Sequence, residues 1–99
     1  MLGTSVIDVQ QTATAPDGWA FLVRVTEEGS QTEHRVTLAR ADYERLTHRT
    51  VPPEVLLGKT FEFLLTRERK KAILREFELT VVMHYFPEFE TELRRALAS

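Results

Sequence analysis

Apolar and polar residues alternate through Trp19-Ala20-Phe21-Leu22-Val23-Arg24-Val25-Thr26 and again through Thr32-Glu33-His34-Arg35-Val36-Thr37-Leu38, the period-two pattern of strands with one dry face. Gly29-Ser30 lies between them. Glycine opens a II′ turn without steric cost, so the two runs are expected to form a hairpin with those residues as its loop. Val25 then faces His34, Val23 faces Val36 and Phe21 faces Leu38, which gathers the apolar side chains on one face. The other face pairs Thr26 with Glu33, Arg24 with Arg35 and Leu22 with Thr37, and is expected to be wet. Arg24 opposite Arg35 is a like-charge pair that Glu33, on the diagonal, relieves. Upstream, Ser5 to Ala13 carries Val6, Ile7 and Val9 and reads as a further strand. The turn-forming string Ala15-Pro16-Asp17-Gly18 joins it to the hairpin. Its alternation is poor, which makes it the expected edge of a three-stranded antiparallel meander.

After Leu38 the period lengthens toward 3.6. Ala39, Tyr43 and Leu46 share a helical face, and that helix is expected to end before Pro52. Pro52 and Pro53 suit the first turn of a second helix running to Glu68, with Leu57, Phe61, Leu64 and Leu65 at helical spacing. Phe61, Phe63 and Leu65 also alternate, so Thr60 to Thr66 as a fourth strand is the competing reading. The length of the run and its helix formers favour helix. From Ala72 to Tyr85 apolar residues again recur at helical spacing, and Pro87 is expected to break this helix from a terminal one. Phe86, Phe89, Leu93 and Leu97 form one stripe of that terminal helix. Glu88 and Glu90 sit near its N-terminus and Arg94 and Arg95 near its C-terminus, complementing the helix dipole. The expected fold class is α+β: a three-stranded antiparallel meander followed by three to four helices packed on one face, in a single domain over 1–99.

The string from Ile73 to Glu90, and above all Tyr85-Phe86-Pro87-Glu88-Phe89-Glu90, resembles the tail of short uncharacterised bacterial proteins. The resemblance is confined to this segment. It implies a bacterial protein of unknown function, and no substrate, cofactor or catalytic residue.

Composition narrows the classes further. At 99 residues the chain supports one core with a thin stability margin, and 42% apolar with 28% charged residues is ordinary for a globular domain. A formal charge of −2 argues against a surface built throughout to trap nucleic acid. Without cysteine there are no disulfides, thiolate metal sites or cysteine nucleophile, which suits a reducing cytoplasm. The stretch Met1 to Asp8 lacks the basic and apolar regions of a leader, and no apolar run is long enough to span a membrane, so neither secretion nor membrane insertion is expected.

Chemistry-bearing patterns are sparse. Gly58-Lys59-Thr60 lacks the earlier glycine of a phosphate loop, Pro53 standing in its place. His34, His48 and His84 have no metal-ligand spacing, and no metal or cofactor is expected. Glu27 with Glu28 and Glu88 with Glu92 are pairs of solvated carboxylates, so no acid–base catalyst stands out. His34 falls on the core face, where an imidazole needs a hydrogen-bond partner, most simply at the sheet margin. Arg67, Arg69, Lys70, Lys71 and Arg75 form the one concentrated basic segment. Three functions are therefore carried, in order. The first is a cytoplasmic, non-enzymatic association domain, a homodimer or an accessory to another protein. Its expected contact surface is the sheet edge or the aromatic C-terminal region, represented by Phe77, Val81, Tyr85, Phe86 and Phe89, because so dense an apolar set exceeds what one small sheet hides. The second is a nucleic-acid-binding accessory using the basic segment for phosphate contacts. The third is a small-ligand enzyme with a polar anchor at His34 or His84.

Overall fold

A computed structural model describes residues 5–98. The Met1 to Asp8 stretch, read as lacking a leader, and the 1–99 domain range both extend outside those residues. The chain forms β1 (Val6–Ala15), β2 (Gly18–Glu27), β3 (Ser30–Ala39), α1 (Arg40–Thr47), α2 (Pro53–Arg67), a 3-10 turn at Lys70–Ala72, β4 (Glu76–Glu78), α3 (Val81–Tyr85) and α4 (Phe89–Ala98). The strands make one mixed sheet in the order β1-β2-β3-β4, antiparallel through the meander and parallel between β3 and β4. This is the expected α+β class with its N-terminal meander and following helices. β1 is an edge, as its weak alternation suggests, and Thr60 to Thr66 lies wholly within α2.

The hairpin corrects one detail. Its loop is Glu28-Gly29, both in the left-handed region at φ 47° and 81°, and Glu27 pairs with Ser30. That is a I′ geometry, whose twist matches the flanking strands. Moving the loop back by one residue shifts the pairing by two, so Val25 faces Thr32, Val23 faces His34 and Phe21 faces Val36. Because side chains alternate with period two, the same residues stay in the core. The charges explain the choice: Arg24 now lies opposite Glu33, with a 2.7 Å ion pair, instead of opposite Arg35.

The larger correction falls on the stretch expected to be helical before Pro87. Only Val81–Tyr85 is α-helix there, while Glu76–Glu78 joins the sheet beside β3. Glu76-Phe77-Glu78-Leu79 also alternates, with Phe77 and Leu79 buried and both glutamates exposed. The ladder of β3 needs partners beside buried Val36. Arg35 N–H donates to the Arg75 carbonyl at 2.7 Å and Leu79 N–H to the Thr37 carbonyl at 2.9 Å. Unpaired, those groups would be costly so close to the core. The parallel pairing is possible because α1 and α2 supply the long crossover it requires.

The core lies between the inner sheet face and the helices. Phe21, Val23, Val25, Val36 and Leu38 meet Leu56, Leu57 and Phe61 of α2 and Phe89 and Leu93 of α4. Trp19 closes one end, edge-on to Tyr43 at 5.2 Å between ring centres. No helix among the described residues is long and apolar enough to cross a membrane.

Candidate interaction surface

The segment from the 3-10 turn to α3 carries the surface. Ile73 points into the core, so in the extended backbone that follows the turn Leu74 points out and is 46% exposed. At the C-terminal end of α3 Tyr85 stands 64% exposed. Between them lies an apolar groove of about 140 Å³. Leu64, Ile73, Phe77 and Val82 form its buried floor, and Leu74, Val81, Tyr85 and Phe86 its accessible walls. Glu68, just beyond α2, also lines the groove.

Of the five surface residues expected from sequence, Phe77, Val81, Tyr85 and Phe86 line this groove. Phe89 does not: it is fully buried at the start of α4, 5.1 Å from the Phe63 ring. Its helical stripe belongs to the core, with Leu93. Leu74 was not expected, because a helical reading of the stretch hides the fact that neighbours Ile73 and Leu74 face opposite ways. The adjacency of two large aliphatic residues was the available signal.

The basic segment is divided. Arg67 donates to Glu88 at 3.0 Å and lies over the Phe63 ring at 4.6 Å. Lys70 is buried, its ammonium 3.5 Å from Glu27, which also accepts from the Ser5 hydroxyl. Arg69 and Lys71 are exposed beside them in a cleft of about 520 Å³ that Glu27 and Glu68 also line. Arg75 stands apart, on the open sheet face with Arg35 and Glu76. The cleft therefore mixes charges, and two of its four cations already face carboxylates. Glu88 is held below the usual carboxylate range by its own backbone N–H and by the Arg67 hydrogen bond.

His34 is fully buried in β3, deeper than the margin position its strand phase suggested. A carbonyl only accepts, so Nδ1–H donates to the Leu74 carbonyl at 2.8 Å; Nε2 then accepts from the Thr32 hydroxyl at 2.8 Å. Its ring packs against Phe61. Burial pushes its pKa down, the Leu74 hydrogen bond opposes that, and the charge of Arg75 adds to the lowering. Both nitrogens are engaged and no face meets solvent, so His34 ties β3 to the groove wall and is closed to a substrate. His84 is exposed on α3 next to Tyr85. Among the described residues no three His, Asp or Glu side chains gather as a metal site. No family model, curated protein or solved structure matches this chain.

Proposed function

We propose that this chain is a small non-enzymatic association domain, and that its groove takes one large apolar side chain from a protein partner. The observation that supports it is the groove itself: a buried apolar floor flanked by two large side chains, Leu74 and Tyr85, held out in water. A partner side chain seated there would bury this apolar area away from water. The volume suits a single anchor residue such as Leu, Phe or Trp, the kind of residue that dominates binding energy at interfaces. Glu68 in the groove lining favours a Lys or Arg next to the anchor. The same proposal places the protein in the cytoplasm, to which a chain without cysteine is suited. The nucleic-acid reading ranks below it, because Arg67 and Lys70 already answer Glu88 and Glu27.

A library of displayed random peptides, selected against the intact chain, tests this. The expected peptides pair one large apolar residue with an adjacent Lys or Arg. Leu74→Asp and Tyr85→Ser should each weaken them by about thirtyfold, the scale of losing an anchor contact of about 2 kcal/mol. Both positions are exposed, so the fold should change by no more than about 0.5 kcal/mol. Selected peptides that bind both variants as well as the original chain would overturn the assignment.

A further inference from the structure

The second surface is the edge of β1 that no other described strand pairs, and it is independent of the groove. The Glu28-Gly29 turn makes Glu27–Ser30 a hydrogen-bonded pair, so by alternation Val25, Val23 and Phe21 direct their backbone groups toward β3. Their partners in β1 are Ile7, Val9 and Gln11. These three therefore sit in non-bonded pairs with β2 and direct N–H and C=O outward, off the edge. Sheet edges are usually guarded by lysine, proline or a covering element. β1 contains neither residue, and its one charge is Asp8. A register shift between Gln11 and Ala13 bends only its far half. Ile7 and Val9 stay half-buried, while Val25 and Val23 opposite them are fully buried, so the edge also leaves apolar area uncovered.

We infer that β1 pairs antiparallel with β1 of a second copy, about a two-fold axis at Val9, joining two sheets into one. The side chains select that register. An axis at Asp8 would set two carboxylates directly opposite each other. An axis at Gln10 would carry Ile7 onto Ala13 of the partner, past the irregularity at Gln11/Ala13. With the axis at Val9, Val9 meets Val9, Ile7 meets Gln11, and Asp8 meets Gln10, a carboxylate opposite an amide donor. All three outward residues of each copy are then used. This self-complementarity is what assigns the place to a second copy in preference to a foreign strand.

Sedimentation equilibrium and amide hydrogen exchange test the proposal on the intact chain. The expected species has twice the 11.4 kDa chain mass, with amides of Ile7, Val9 and Gln11 that gain protection as concentration rises. Gln10 is exposed on the polar face, so its variants leave the core untouched. Gln10→Asp, facing Asp8 of the other copy, should raise the dimer Kd about 3- to 30-fold, and Gln10→Lys should lower it by a similar factor, since each change enters the dimer twice. A monomer at every workable concentration overturns the inference. So does a shift of both variants in the same direction, which would place Gln10 against itself. A dimer indifferent to Gln10 but lost in Leu74→Asp overturns it too, and assigns self-association to the groove. Loss of peptide binding in Leu74→Asp with the dimer intact separates the two surfaces.

Discussion

At the scale of single residues, His34 sets the chain's response to mild acid. Above about pH 6.5, the ordinary histidine value, folded and unfolded chains both carry a neutral imidazole. Below it the unfolded chain takes up a proton that burial makes the folded chain resist. Stability should therefore fall as pH drops from about 6.5, with a slope of at most about 1.4 kcal/mol per pH unit, until the folded state is itself protonated. Urea denaturation at successive pH values measures this, and His34→Gln should flatten the slope in that window. The depressed Glu88 acts lower, its contribution being lost only as pH falls below the ordinary carboxylate value and through its folded one. Gly18 is constrained by space. A Cβ there would stand 2.4 Å from the Leu38 carbonyl oxygen, a backbone atom that cannot swing aside. Gly18→Ala should cost about 1–3 kcal/mol, read as a lower melting temperature.

Among the elements, β4 is the one whose local sequence supports two structures. Ile73, Phe77 and Val81 are spaced for a helix, and Phe77 with Leu79 for a strand. As a strand it closes the ladder of β3, so the amides of Arg35 and Leu79 should exchange slowly with solvent, Leu79 through its bond to the Thr37 carbonyl. Rapid exchange at both would place the segment outside the sheet. The hairpin offers the complementary lesson. Its residues, its inner face and its turn glycine are legible in the sequence, because alternation survives a shift of two. The pairing partner is not, since it depends on whether Glu28 accepts a left-handed backbone in exchange for the Arg24–Glu33 ion pair.

For the whole molecule, one mixed sheet covered on one face leaves two kinds of unsatisfied surface. β1 presents backbone donors and acceptors, which call for another strand. The groove presents apolar volume, which calls for a side chain. A chain of 99 residues buries a smaller share of its surface than a larger one, and this one presents both kinds. Of the five basic residues, the other surface legible in sequence, two brace the fold: Arg67 ties α2 to the turn before α4 through Glu88, and Lys70 ties the 3-10 turn to β2 through Glu27.

By itself the sequence determined the meander, the edge position of β1, and the helices opened by Pro53 and separated by Pro87. Each of these rests on a period, a turn residue or a proline, all of which act over a few neighbouring positions. Tertiary structure decided the conversion of Glu76–Glu78 to a strand, the full burial of His34, the withdrawal of Phe89 into the core and the exposure of Leu74. Those outcomes depend on which distant backbone group needs a partner and which face is already covered, and neither requirement is written at the position that answers it.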